Sequence, residues 1–236
     1  MIKETTMKVN IWSDIRCPFC YIGKHKFEQA LEQFPHKDQI TVTWRSFELD
    51  PDLKTQPGIS TLDYLAASKM ISRARAEEMT RYAAQETGIR LDFQKAVVAN
   101  TFKAHCLIQL AQTKGVGSVA EENLFRAHFT EGENIDDEET LLRIATTIGL
   151  DPKETTDALH SDTYARMVRK DEEDARMMGI RGVPYFVFNN QYAVSGAQPE
   201  AVFLNALQQS WNAFEQQSRP VILNEGASCS TDGHCA

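Results

Sequence analysis

Ile11-Trp12-Ser13-Asp14-Ile15-Arg16-Cys17-Pro18-Phe19-Cys20-Tyr21 is the stretch on which the fold turns. Val9, Ile11 and Trp12 form a short apolar run that reads as a buried strand. After the cysteines, Phe27, Ala30, Leu31 and Phe34 recur at helical spacing. The cysteine pair therefore stands where a strand hands over to a helix. Pro18 suits the first helical position, where its missing N–H would have no partner. Unpaired N–H groups and the positive end of the helix dipole favour negative charge there, so Cys17 is expected to ionise more readily than a free thiol. Cys20, one turn on, is placed to resolve a mixed disulfide. Half of a zinc site is the competing reading of C-x-x-C. Zinc needs further ligands, and no second close Cys/His pair precedes the last residues of the chain.

Composition narrows the function classes. The chain has 236 residues, 42% hydrophobic and 25% charged, with a net charge of −8. That is ordinary for a globular protein and enough for a substantial core. The acidic balance argues against a nucleic-acid or anionic-membrane partner. The first residues contain no apolar export segment, and no apolar run approaches membrane-spanning length, so a cytoplasmic location is expected. Five cysteines are too few for a disulfide scaffold of this size. In the cytoplasm, cysteine pairs are usually catalytic, regulatory or metal-bound.

Outward from the cysteines, Ile40, Val42 and Trp44 alternate with polar residues as a second strand. Gln56-Pro57-Gly58 reads as a linker, and from about Ser60 to Arg176 the texture is helical, opened by the capping box Ser60-Thr61-Leu62-Asp63. Phe102, Cys106 and Leu110 share one helical face, which makes Cys106 a core residue. Leu124, Phe125, His128 and Phe129 line another helix, and Asp151-Pro152 starts a further one. His25, His36, His105, His128 and His160 show no ligand-like spacing and are assigned no role. Strand texture returns at Val183-Pro184-Tyr185-Phe186-Val187-Phe188, followed by the turn Asn189-Asn190, the strand Tyr192-Ala193-Val194 and a helix carrying Phe203, Leu207, Trp211 and Phe214. Past Gln217 the chain reads as a mobile tail ending in Cys229-Ser230-Thr231-Asp232-Gly233-His234-Cys235.

The first and last pieces resemble the two halves of a thioredoxin fold. Cys17-Pro18-Phe19-Cys20-Tyr21-Ile22-Gly23-Lys24 is similar to the active-site stretch of the DsbA-like oxidoreductases. Gly179-Ile180-Arg181-Gly182-Val183-Pro184-Tyr185-Phe186, with Val194-Ser195-Gly196-Ala197-Gln198-Pro199, resembles the FrnE branch of cytoplasmic dithiol–disulfide oxidoreductases and isomerases. The resemblance implies an α/β, thioredoxin-like fold with an inserted all-helical domain. Residues 1–55 and 177–217 would form the thioredoxin-like domain, 56–176 the insertion, and 218–236 the tail. It implies Cys17 and Cys20 as the catalytic pair, with no cofactor beyond their redox-active disulfide and no metal. Pro184 would be cis and face the pair, leaving Val183 to hold an extended peptide beside Cys17. The sequence by itself supports only a proline heading a strand. Phe19, Trp12 and Tyr185 are the apolar residues expected to be exposed for such a peptide. Expected partners are thiol- or disulfide-containing proteins or peptides and small-molecule thiols. Periplasmic DsbA enzymes carry a histidine where this chain has Phe19. A phenyl ring donates no hydrogen bond to a thiolate, so the couple is expected to be more reducing, on the order of tens of millivolts.

Three alternatives stay open at this stage. The kappa-class glutathione transferases and hydroxychromene-carboxylate isomerases resemble the chain in architecture, though they typically carry serine at the position of Cys17. A metal-handling protein would use Cys229, His234 and Cys235, with or without Cys17 and Cys20. The Cys229/Cys235 pair could instead be idle thiols, or an auxiliary redox couple exchanging with Cys17 and Cys20, as in FrnE-branch members with a similar C-terminal pair.

Overall fold

A computed structural model of the chain describes residues 6–68, 70–85 and 88–218. Cys229, His234 and Cys235 lie outside the described residues. The backbone begins with β1 (Met7–Ser13), α1 (Pro18–Gln33), a 3-10 turn at Lys37–Gln39 and β2 (Ile40–Ser46). β3 (Gln56–Ser60), α2 (Thr61–Ser68), α3 (Arg73–Gln85) and β4 (Val97–Val98) come next. Then follow α4 (Phe102–Thr113), α5 (Gly117–Arg126), a π-helical turn at Ala127–Glu131, α6 (Glu138–Thr147), α7 (Pro152–Leu159) and α8 (Asp162–Met177). The hairpin β5 (Tyr185–Phe188) and β6 (Tyr192–Ser195) precedes α9 (Glu200–Ser218).

The main sheet has the order β2-β1-β5-β6. β1 runs parallel to β2, with Ile11 opposite Trp44, and antiparallel to β5, with Ile11 opposite Phe186. Alternation along β1 sends Val9 and Ile11 into the core formed with α1 and α9. That core centres on Phe27, Phe186 and Phe203, whose ring centroids lie 4.6–6.0 Å apart. Trp12 joins a separate cluster with Ala175, Ile180 and Val187, and its indole N–H donates to the Asp171 carbonyl at 2.9 Å. Asn189 and Asn190, with φ of 49° and 54°, close the hairpin in the left-handed conformation asparagine tolerates.

The segment between β2 and β5 is helical, with one departure from expectation. Gln56–Ser60 pairs antiparallel with Val97–Val98 as a small ribbon, so the insertion is not all-helical. Pro57 and Gly58 suggested a linker because local propensity favours one. A partner about forty residues away overrides it, and a proline is tolerated on an edge strand. Helix starts follow their caps: Asp151 accepts from the Glu154 N–H at 2.8 Å, and Ser60 Oγ accepts from the Asp63 N–H at 3.1 Å. His128 and Phe129 lie in the π turn rather than in regular helix, and Gly132 follows with φ 74°. A Cβ on Gly132 would stand 2.7 Å from the Lys95 Cβ, so only glycine fits there.

Asp171 ties three elements together. Its carboxylate accepts from Arg45 Nη1 at 2.9 Å, the Ser46 N–H at 3.0 Å and Gln109 Nε2 at 2.6 Å, joining α8 to β2 and α4. Replacing Asp171 with alanine strands these donors in a buried setting, and we expect a loss of about 3 kcal/mol in urea unfolding. A loss under about 1 kcal/mol would show that the junction does not depend on this carboxylate.

Candidate active site

Cys17 occupies the N-cap of α1 and Pro18 its first turn, as the spacing predicts. Asp14 holds the turn that leads into the helix. Its carbonyl accepts the Cys17 N–H at 2.9 Å, its N–H points at Cys20 Sγ at 3.5 Å, and its carboxylate accepts from the Arg16 and Leu49 N–H groups at 3.3 and 2.8 Å. α1 is held against α5 one turn further along. The Tyr21 ring stacks on Phe125, and Tyr21 OH and Lys24 Nζ both donate to Glu122, at 2.8 and 2.6 Å.

The two thiols are free and unequal. A hydrogen bond from the Cys20 thiol pulls the Cys17 pKa below its ordinary value. Burial and the Asp14 charge work against that, while the N–H groups of Cys20 and Phe19 reinforce it. For Cys20, burial leads and the neighbouring Cys17 adds to it, so its pKa stands well above the ordinary value. Cys17 is 6% exposed and Cys20 1%. The outer sulfur is thus the one charged more readily, and the inner one holds its proton until needed.

The loop before β5 closes over the pair. The Val183–Pro184 bond is cis, and Cys17 Sγ donates to the Val183 carbonyl at 3.6 Å. Pro184 is buried against α1 at Gly23, where an added Cβ would come within 2.9 Å of the proline ring and 3.3 Å of the Phe186 ring. Phe19 is 43% exposed, and Tyr185 is half-buried. Trp12 corrects the expectation: at 3% exposure it is a core residue, because its ring fills the Ala175–Ile180 cluster and its N–H is bound to Asp171. Leu49, whose N–H reaches Asp14, is exposed instead. Cys106 lies in the core as its spacing predicts, and burial pushes its thiol up to about 11.

Beneath the cysteines lies a set of buried polar groups to which sequence reasoning gave no role. His105 Nε2 stands 3.7 Å from Asp14 Oδ1, an ion-pair distance. Glu121 is buried beside them, and Glu48 is bound by Arg169. Asp14 carries no periodic signal, and His105 sits among apolar neighbours on its helix; only the fold, which sets α4 beside the turn between β1 and α1, brings them together. Among the described residues no group of three or more His, Cys, Asp or Glu side chains is arranged to hold a metal.

Residues 8–208 match the DSBA-like thioredoxin domain model. The chain belongs to that family. It is similar to a probable DsbA oxidoreductase from Streptomyces coelicolor known by its crystal structure, with 38% identity, 98% of each chain covered and a TM-score of 0.82. The uncharacterised Bacillus subtilis protein YwbO is 28% identical over 206 residues, which cover 86% of this chain and 96% of YwbO. The cytosolic disulfide reductase DsbM of Pseudomonas aeruginosa, solved with glutathione, shares the fold at 16% identity and a TM-score of 0.59, over 89% of this chain and 98% of its own.

Gly23 offers a direct handle on this geometry. A Gly23→Ala side chain forces the Pro184 loop to shift, at a cost of about 1–3 kcal/mol. We expect slower exchange with a peptide disulfide and unchanged alkylation of Cys17 by a small reagent. Equal exchange rates in variant and wild type would mean that the loop does not guide the substrate.

Proposed function

We propose that the protein is a thiol–disulfide oxidoreductase or disulfide isomerase of protein and peptide substrates, working through Cys17 and Cys20. The observation that carries this reading is the placement of Cys17 at the N-cap of α1, against the Val183 carbonyl, with the more deeply buried Cys20 one turn behind it; the opposite directions in which their pKa values shift support it. In the reducing direction the Cys17 thiolate attacks one sulfur of a substrate disulfide. The S–S bond breaks and the departing substrate sulfur takes a proton. Cys20 then loses its proton and attacks Cys17 Sγ, releasing the second substrate thiol and leaving a Cys17–Cys20 disulfide. Two electrons have passed to the substrate, and the reverse sequence oxidises a dithiol. The carbonyl of Val183 beside Cys17 and the exposed ring of Phe19 suit an extended peptide chain.

Several finer points belong to the same proposal. No additional cofactor is required, because the two thiols carry the electrons. Small-molecule thiols are reasonable electron donors, a view to which the glutathione in the DsbM crystal structure lends support. Phe19, in place of a donor side chain, favours a less oxidising couple and suits the FrnE branch and a cytoplasmic setting. The described residues include no helix long and apolar enough to cross a membrane. Residues 1–55 and 177–217 would supply the redox unit and 56–176 its cover. Cys229 and Cys235 would serve as an auxiliary pair exchanging with Cys17 and Cys20.

Trapping tests the central point. The Cys20→Ser variant should accumulate mixed disulfides through Cys17 when exposed to a cell lysate, and the Cys17→Ser variant should not. Wild-type protein should accelerate insulin reduction by dithiothreitol, and both variants should lose that turnover. Trapping through Cys20, or undiminished insulin reduction without Cys17, would contradict the assignment.

A further inference from the structure

Asp14 and His105 form a buried pair that the exchange chemistry does not itself consume. Asp14 is fully buried, and its main-chain and carboxylate atoms reach Cys17, Cys20, Arg16 and Leu49. It is the peg that fixes the loop leading to the cysteines. That peg carries a cost, since a carboxylate charge so close raises the pKa of Cys17 and Cys20 alike. A nucleophilic thiolate needs this charge neutralised, and His105 is the ring in position to do it.

We propose that His105 is a positioning residue for the thiol chemistry: its ring, set 3.7 Å from Asp14, cancels the field of that carboxylate at Cys17 and so keeps the sulfur reactive near neutral pH. This role rests on the reading of Cys17 as the nucleophile and deepens it.

The molecule contains its own control. His105 and His128 are each 1% exposed, and neither has a ring nitrogen in a hydrogen bond within the described residues. Burial pushes His128 down to about 4, so it is neutral. Burial works against the charged form of His105 too, yet its pKa is raised, because Asp14 lies against it and Glu121 and Glu48 add to the attraction. Asp14 in turn is held below the usual carboxylate range: burial opposes this, and His105, the Leu49 N–H and Arg16 outweigh it. The remaining groups facing the ring come from separate elements. Glu121 of α5, faced by Lys24 and Glu28 of α1, is pushed up to about 8 by burial and is mostly protonated at neutral pH. Glu48, after β2, is also raised by burial and is paired with Arg169 of α8. Asp14 and His105 therefore face each other beneath the cysteines, each shifted towards its charged form. Without the imidazolium, only the main-chain N–H groups of Arg16 and Leu49 and the Arg16 charge would offset the Asp14 carboxylate as the Cys17 thiolate forms.

The test is the pH profile of Cys17 alkylation in reduced protein, followed by mass spectrometry at the Cys17 peptide. In His105→Gln the midpoint should move up by about one pH unit, a roughly tenfold loss of rate below it. The double variant Asp14→Asn/His105→Gln, which removes both charges, should return the midpoint towards wild type. A purely structural histidine would lower stability without moving the midpoint. An unmoved midpoint in folded His105→Gln, or a shift that persists in the double variant, overturns the proposal. Should His105→Gln not fold, ring NMR of the wild-type protein decides: His105 should hold its charge through pH 7 while His128 is neutral, and a neutral His105 overturns the proposal equally. Absence of any reactive Cys17 in wild type would instead strike at the oxidoreductase reading itself.

Discussion

Everything at this site depends on one junction, the passage from β1 into the first turn of α1. The start of a helix favours negative charge, and here the Cys20 thiol first, then the main chain of Cys20 and Phe19, lower the pKa of Cys17. A thiol placed there loses its proton more readily than one in water, while a thiol one turn deeper gains no such help and is penalised by burial. Two chemically identical side chains three residues apart thus become an attacking group and a reserve. The rest of the architecture holds the junction still. The parallel β1–β2 pair anchors the strand, Tyr21 and Lys24 fasten the helix to α5, and the absence of a side chain at Gly23 lets the Pro184 loop approach.

The placement of charge adds a second layer. Aspartate is an effective peg for a tight turn because its carboxylate accepts several main-chain N–H groups at once. Its charge is unwelcome beside a thiolate. His105 and His128 are equally buried, yet their pKa values are shifted in opposite directions, and the Asp14 carboxylate against His105 is the difference between them.

Much of this was legible in the residues themselves. The helical spacing of Phe27, Ala30 and Phe34, the alternation in β1 and β2, and the Pro18 signal are local, and local physics placed the cysteines at a helix start. Val183-Pro184 at the head of a strand was likewise visible, although its approach to Cys17 had to be inferred from resemblance. What the sequence did not show is what packing alone creates. Trp12 looked like a residue for the substrate face and is buried, because the end of α8 covers that side of β1. Gln56–Ser60 looked like a linker and is a strand, because Val97–Val98 reaches it across two helices. Asp14 and His105, ninety-one positions apart, signal nothing in either neighbourhood; their meaning arises when α4 meets the turn between β1 and α1.

The inequality of the two thiols is the claim on which the account stands, and thiolate absorbance near 240 nm measures it directly. In reduced protein with Cys229 and Cys235 both replaced by serine, the absorbance should rise in separated steps as pH increases. The first, worth one thiolate, should fall below the ordinary thiol value of about 8.5 and vanish in Cys17→Ser. Cys20 and Cys106 should contribute only well above that value, consistent with their burial. A single step of two thiolates near 8.5, or a first step that survives loss of Cys17, would contradict the account.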